Sequence, residues 1–152
     1  AMAGTHVCLR RLDGPGVFQS IADHQVSHLC GAPIIMNMLL QVPESERPKF
    51  DHRVAMMTAA SAPPAAVIEG MERLGIDVTH VYGLTEVYGP VTVCAWQPQW
   101  SALPMAEQAD LKARQGVRYP VLEGLMVADV DSLDPVPAEA KPLAKCLCVA
   151  MW

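Results

Sequence analysis

Two short turns in this sequence carry residue types that can handle a nucleotide. Residues 60–63 (Ala-Ser-Ala-Pro) have almost no bulky side chains, so a flat ligand can approach their backbone closely. Residues 82–86 (Tyr-Gly-Leu-Thr-Glu) provide an aromatic ring for stacking, a glycine for close approach, a hydroxyl donor and a carboxylate. Together these turns indicate a site for an aromatic ring that is linked to phosphate.

The hydroxyl and the carboxylate of the second turn point to a metal-bridged phosphate. The Thr85 hydroxyl can bond a phosphate oxygen, whereas the adjacent Glu86 carboxylate repels phosphate unless a cation lies between them. Mg²⁺ suits that position because it binds one or two carboxylates together with phosphate oxygens. Taken singly, Glu86 is better explained as a solvated turn residue and Tyr82 as strand-end packing. Their occurrence together at one strand end favours the Mg-nucleotide site.

The elements that position these turns are predicted from hydrophobic periodicity. Short apolar runs alternate with helical patterns, which is typical of βαβ units and a parallel sheet in an α/β fold. We expect strands at residues 6–10, 27–30, 54–58 and 77–82, and helices after residues 13–15, 31–33 and 63–64 and over 105–115. Ligands of such sheets bind at the carboxyl ends of the strands, where both turns lie.

The apolar residues of each helical pattern predict the core. The expected inner faces are Val17, Phe18 and Ile21 in the first helix, Ile34, Ile35, Met38 and Leu39 in the second, and Val67, Ile68, Met71 and Leu74 in the third. We interpret Met36, Met38, Met56 and Met57 as core filler. The five histidines and both Trp96 and Trp100 are given structural roles.

Composition excludes several classes of function. The formal net charge is −5 and no basic stripe interrupts it, which argues against nucleic-acid binding. No run of about eighteen apolar residues predicts a membrane span. The five cysteines are odd in number and lie mostly in apolar runs, which indicates buried free thiols without a function. A cytoplasmic protein is therefore expected.

The sequence motifs then identify a family. The pentapeptide Y-G-L-T-E, with a small-residue turn one helix earlier, resembles the adenylate-forming (AMP-binding) superfamily. Residues 91–100, 103–104 and 111–117 look like the acyl-CoA synthetase branch that acts on short-chain, medium-chain or aromatic acids. The resemblance extends over residues 1–137. It implies an ATP-dependent ligase that converts a carboxylic acid to acyl-AMP and transfers the acyl group to coenzyme A.

The resemblance also implies roles for individual residues. The nucleotide-binding and catalytic residues would be Ser61, Ala62 and Pro63 along the adenine, Tyr82 stacked on it with Gly83 beside it, Thr85 on the α-phosphate and Glu86 on Mg²⁺. The segment from Gly83 to Gly89, with Gly31, Ala32 and Pro33, would border the acyl pocket.

Parts of the family pattern are missing. The Ser/Thr/Gly-rich phosphate loop, the ribose-binding aspartate and the C-terminal domain with its catalytic lysine are absent from these 152 residues. We therefore expect an internal piece of the large N-terminal domain that is inactive by itself. A non-catalytic adenine-nucleotide-binding module and a relic α/β domain with a structural role are the alternatives. A truncated sheet should expose its edges and an apolar face, so self-association is expected.

We divide the chain into a partial α/β core over residues 1–116, the start of a β subdomain over 117–139 and an aberrant tail over 140–152. The tail departs from the family, which would continue with a pattern such as G-E-x-x-G-E-V. A one-base shift of the reading frame gives E-T-I-G-E-V-L-V-R-G-N-V if the wobble bases allow it. We predict a frameshift near residue 140, so that Cys146 and Cys148 have no role and the tail lacks native packing. Sequencing the coding DNA tests this, and codons that cannot yield the alternative frame would refute it.

Overall fold

Four α-helices and seven strands are found in the described part of the chain. The computed structural model describes residues 4–129 and 131–136, together with the backbone of residues 146–151. The helices are α1 (Gly14–His24), α2 (Pro33–Leu40), α3 (Ala65–Arg73) and α4 (Met105–Lys112). The strands are β1 (His28–Cys30), β2 (Val54–Thr58), β3 (Ile76–Leu84), β4 (Gly89–Val93), β5 (Val117–Arg118), β6 (Gly124–Asp129) and β7 (Cys146–Met151).

A mixed sheet of five strands, in the order β1-β2-β3-β4-β5, forms the centre of the molecule. The first three strands are parallel and are linked by α2 and α3, as the predicted βαβ units require. Strands β4 and β5 continue the sheet in antiparallel orientation. The α/β prediction is therefore confirmed, and the antiparallel extension is a feature that periodicity did not predict.

The hydrophobic core lies on one face of this sheet. Its members come from all four helices and from alternate positions of β2 and β3, such as Met56 and Val78. Consecutive side chains of a strand point to opposite faces, so Met57 and its register neighbour Cys30 lie on the other face. Met57 is 38% exposed. Neither Met57 nor Cys30 belongs to the core cluster of the described residues. We call this second face the open face.

Three expectations about burial were wrong. Met57 is not core filler, because the alternation along β2 turns it away from the helices. Ile34 is 74% exposed, because α2 begins at Pro33 and buries Pro33, Met36 and Leu39 instead. Cys8 and Cys30 are exposed free thiols, and only Cys94 of the three described cysteines is buried.

The strand expected at residues 6–10 is also absent from the structure. Residues 4–9 form no regular element, and Val7 and Leu9 are 37% and 42% exposed. A strand exists through hydrogen bonds to a neighbouring strand, and within the described chain no backbone hydrogen bond joins residues 4–9 to β1. The apolar run at residues 6–10 alone was therefore not enough to form a strand.

Strands β6 and β7 form a separate antiparallel sheet, with Gly124 opposite Met151 and Asp129 opposite Cys146. Strand β6 lies within residues 117–139, which we assigned to the start of a β subdomain, and β7 in the tail is its partner. Many sequences can form such backbone pairing, so the pairing does not test the predicted frameshift near residue 140.

No helix among the described residues is long and apolar enough to cross a membrane.

A cluster of charges fastens α4 to the sheet. The Lys112 ammonium lies 2.5 Å from Glu72 Oε1 of α3 and 2.6 Å from Asp77 Oδ1 of β3, and its side chain is 9% exposed. Glu72 Oε1 also accepts the Val78 backbone N–H at 3.0 Å. The ammonium lies 4.9 Å from the centroid of the Trp96 ring, which shields it further. Because partly buried charges are costly without partners, these contacts are mutually dependent.

We therefore expect Lys112→Met to lower the free energy of unfolding by about 2 kcal/mol, because it leaves the Glu72 carboxylate without its cation and Asp77 with only its exposed partner Arg53. The matched control is Arg73→Met, which removes an exposed pair with Glu69 within α3 and should cost less than about 0.5 kcal/mol. Urea unfolding of both variants measures the difference. Equal losses would show that the Lys112 cluster contributes no more than a surface ion pair.

Candidate functional site

The carboxyl ends of β1, β2 and β3 meet at one edge of the sheet because the three strands are parallel. Three segments, each made of a strand end and the residues that follow it, lie at that edge at residues 30–32, 57–60 and 81–85. They surround an open groove of about 700 Å³. The groove is lined by Cys30, Gly31, Ala32, Met57, Ala59, Ala60, Val81, Gly83, Leu84, Thr85, Tyr88, Gly89 and Pro90.

One wall of the groove depends on a close approach between β3 and β4. The register slips between Tyr82, which pairs with Thr92, and Gly83, which pairs with Pro90. A Cβ atom on Gly83 would lie 2.2 Å from the Gly89 carbonyl oxygen, so only glycine fits here. This irregularity turns the strand end toward the groove and sets the direction in which Thr85 leaves the sheet.

Thr85 begins a short 3₁₀ turn, Thr85–Val87, directly after β3. The turn closes when the Tyr88 N–H donates to the Thr85 carbonyl at 3.2 Å, and Tyr88 has a φ of 60°. Thr85 and Glu86 are both exposed. The hydroxyl and the carboxylate are therefore available to a ligand at the edge of the sheet.

The small-residue turn after β2 contains a strained residue. Ala60 has a φ of 80°, a left-handed conformation that a Cβ atom disfavours. Strain of this kind persists only where the surrounding structure enforces it, and it is common at binding sites. Ala60 lines the groove, and Ser61 and Ala62 after it are exposed.

The predicted site residues divide between two sides of the strand ends. Gly31, Ala32, Gly83, Thr85 and Gly89 line the groove as a group. The remaining predicted residues do not belong to the groove lining within the described chain: Pro33, Ser61, Ala62, Pro63, Tyr82 and Glu86.

Within the second set, Pro33, Pro63 and Tyr82 lie on the helix side. Tyr82 is half-buried and follows the alternation of Val78 and His80, which directs it to the face that carries the helices. Ser61 and Ala62 are exposed and Pro63 is buried where the chain turns into α3. Pro33 is buried as the first residue of α2.

Sequence reasoning missed Met57 and Cys30 as groove residues. Both were assigned to the interior because they lie in apolar runs. The signal that locates Met57 is its position next to Met56 in a five-residue strand, since two neighbouring strand residues cannot both face one core.

Two buried titratable groups near the site, His80 and Cys94, have structural roles. His80 is 2% exposed, and its Nδ1 lies 3.1 Å and 3.0 Å from the carbonyl oxygens of Ala113 and Arg114, to which it donates as the Nδ1–H tautomer. Burial raises the pKa of the Cys94 thiol, so that it stays neutral, although Arg114 and Lys112 oppose the shift. Within the described residues no three His, Cys, Asp or Glu side chains are placed to hold a metal ion together.

Comparison with known proteins assigns the family. The sequence profile of the family described as "AMP-binding enzyme" matches residues 1–142. The chain belongs to this family. It is 45% identical over 146 residues to the acetate–CoA ligase CCL3 of Humulus lupulus and 45% identical over 141 residues to the acetate/butyrate–CoA ligase AAE7, peroxisomal, of Arabidopsis thaliana.

These matches cover most of this chain and a small part of each relative. They span 95% and 92% of the chain but 26% and 25% of the two ligases, so the chain spans about a quarter of the length of its relatives. Its fold is similar to the crystallised N-terminal domain of FACL13 from Mycobacterium tuberculosis, with a TM-score of 0.62 and 24% identity over 81% of this chain and 29% of that one. The α/β architecture is thus that of adenylate-forming N-terminal domains.

The strain at Ala60 can be tested directly. We expect Ala60→Gly to raise the free energy of unfolding by about 1 kcal/mol, because glycine adopts a positive φ without a Cβ clash. Ala59→Gly is the matched control, since Ala59 is not among the described residues with positive φ and should lose about 0.4–1 kcal/mol. Thermal or urea unfolding measures both. A loss of stability in both variants would contradict the left-handed conformation of Ala60.

Proposed function

We propose that this chain forms one wall of the active site of an ATP-dependent acid–thiol ligase, which activates a carboxylic acid as acyl-AMP and transfers it to coenzyme A. The observation that carries the proposal is the position of Thr85, which lies at the rim of an apolar groove and at the end of the strand that bears Tyr82. Thr85 thus lies between a surface suited to an acyl group and a surface suited to a nucleotide.

The open side of the strand ends suits the acyl group. Gly31, Ala32, Gly83 and Gly89 present backbone or a single methyl group to the groove, which leaves room for a ligand. The described residues of the lining include no charged side chain. An apolar tail buried there gains roughly 25 cal/mol for each Å² removed from water.

The helix side suits the nucleotide. Ser61, Ala62 and Pro63 precede α3, and Tyr82 occupies the same face of the sheet one strand away. In the proposed complex the adenine ring lies along the backbone of residues 61–63 and stacks against Tyr82. Gly83 allows the ribose phosphate to pass close to the backbone, and Thr85 donates its hydroxyl hydrogen to an α-phosphate oxygen.

Glu86 is the proposed ligand for Mg²⁺. It is an exposed carboxylate next to Thr85, which fits a cation that takes one or two carboxylates and fills its other positions with phosphate oxygens and water. When bound there, the metal neutralises charge on the phosphates during the displacement.

These residues act by positioning and by stabilising charge. A carboxylate oxygen of the acid attacks the α-phosphorus, a new O–P bond forms, and the bond to pyrophosphate breaks. The groove aligns the acid with the phosphorus, and the Thr85 hydroxyl stabilises the negative charge that grows on the α-phosphate. The thiol of coenzyme A then attacks the acyl carbon and expels AMP.

A chimaera tests this proposal in a working framework. Residues 4–136 would replace the matching stretch of the Humulus acetate–CoA ligase, and thioester formation from acetate and butyrate would be measured. We expect activity, with Thr85→Ala lowering kcat/KM by about 100-fold because one donor to the phosphate is lost. Thr79→Ala, on the same strand but outside the groove lining, should change kcat/KM less than about threefold. A folded but inactive wild-type chimaera would refute the proposal.

Titration of the isolated chain separates the alternatives. Because these 152 residues contain no phosphate loop, we expect the isolated chain to give no saturable calorimetric signal with ATP-Mg²⁺ or AMP. Micromolar binding by the isolated chain, lost in Tyr82→Ala, would favour a nucleotide-binding module that performs no chemistry. Absence of binding combined with an inactive chimaera would favour a relic domain.

Self-association and a cytoplasmic location complete the proposal. Strands β1 and β5 are the edges of the central sheet, and Met57 on the open face and Val117 on β5 are exposed. Exposed edges and apolar groups favour association of the isolated chain. A monomeric sedimentation profile at high concentration would contradict this self-association.

The alternative to the proposed cytoplasmic location is the peroxisome, because the Arabidopsis relative is named as peroxisomal. Imaging of the tagged protein distinguishes the two locations.

A further inference from the structure

The groove has an unusual distribution of side-chain size. Of the residues that come from the strand ends β1 and β2, Gly31, Ala32, Ala59 and Ala60 are small. Met57 is the single long and flexible side chain that these two strands contribute. It lies two to three residues before the small-residue turn, on the strand itself and not on a loop.

Met57 lies on the open face beside side chains that are themselves exposed or half-buried. Its register partners are Cys30 on β1 and Thr79 on β3, and all three belong to the face opposite the helices. Cys30 is exposed and Thr79 is half-buried, and Met57 itself is 38% exposed. The neighbouring Met56 is 1% exposed and packs in the core, so the two adjacent methionines have different environments.

Polar groups are confined to the rim. Thr85 and Tyr88 follow the end of β3, whereas Met57 and Val81 lie within their strands and are further from the sheet edge. A ligand with its polar head at Thr85 therefore directs its tail along the strands toward Met57. Since none of the described side chains that line the groove is charged, a second charge on that tail would lose its hydration without a partner there.

We propose that Met57 is a specificity-determining residue that limits the length of the substrate tail, and that the substrates are monocarboxylic acids whose tails are apolar and uncharged. This inference rests on the proposed ligase function for the identity of the head group. The limit on tail length depends only on the groove itself.

The expected effect follows from the size of the side chain. Replacing Met57 by Ala removes roughly three heavy atoms, which makes room for about two or three methylene groups of a ligand. Each methylene in an apolar pocket changes discrimination by roughly 10-fold to 200-fold. Phe at the same position is bulkier and stiffer than Met and should shorten the accepted tail.

The first experiment uses the isolated chain and needs no enzymatic activity. Alkyl methanethiosulfonates of increasing length react with thiols: the thiolate attacks the sulfenyl sulfur, an S–S bond forms and methanesulfinate leaves. Cys30 lines the groove beside Met57, whereas Cys8 is exposed outside it and serves as the internal reference. Peptide mapping by mass spectrometry gives the ratio of the labelling rates of Cys30 and Cys8 for each alkyl length.

We expect this ratio to fall about 10-fold or more above a certain chain length in the wild type. The fall should occur two to three carbons later in Met57→Ala and earlier in Met57→Phe. Met126→Ala is the matched control, since Met126 is 36% exposed and lies outside the groove lining. The buried thiol of Cys94 stays unlabelled as long as a variant is folded. An unchanged length dependence in folded Met57→Ala would overturn the proposal.

The second experiment uses the ligase chimaera with acetate, butyrate, hexanoate, octanoate and the dicarboxylate succinate. Met57→Ala should raise kcat/KM for hexanoate relative to acetate by at least 10-fold, and succinate should remain a poor substrate in every variant. An active chimaera whose preference does not move, or that accepts succinate as well as butyrate, would refute the specificity claim alone. An inactive chimaera that retains the labelling pattern would refute the ligase function and leave the length limit established.

Discussion

The handedness of the βαβ connections is the constraint on which the rest of the structure depends. Crossovers between parallel strands are almost always right-handed, so α2 and α3 lie on the same face of the sheet. The main core cluster therefore packs on that face, and the other face keeps residues such as Met57 and Cys30 accessible. The groove exists because, within the described residues, this part of the second face is left uncovered.

Local backbone geometry then shapes the groove. Gly83 lets β3 and β4 approach more closely than any side chain would allow, and the resulting slip in register directs Thr85 away from the sheet. Ala60 holds a left-handed conformation in the neighbouring turn. Both features lie at strand ends, where the backbone is released from regular pairing and the protein can direct groups toward a ligand.

The Lys112 cluster supports this edge from the opposite side. By joining Glu72 of α3 and Asp77 of β3, it fixes the start of the strand whose other end carries Gly83 and Thr85. His80 connects the end of α4 to the middle of the same strand. Polar contacts to α3 and α4 thus hold β3 at its start and middle, while its end faces the groove.

The sequence by itself determined the order and type of the main elements, the α/β class and the two turns that carry the candidate site, because periodicity and motif are local properties. It also indicated the family through the pentapeptide at residues 82–86. The tertiary structure decided which members of an apolar run face the core: Met56 and Met57 are chemically identical, and only the position of the helices makes one buried and the other a groove residue. It likewise removed the strand expected at residues 6–10 and divided the site residues between two faces, since both depend on neighbours that are distant in sequence.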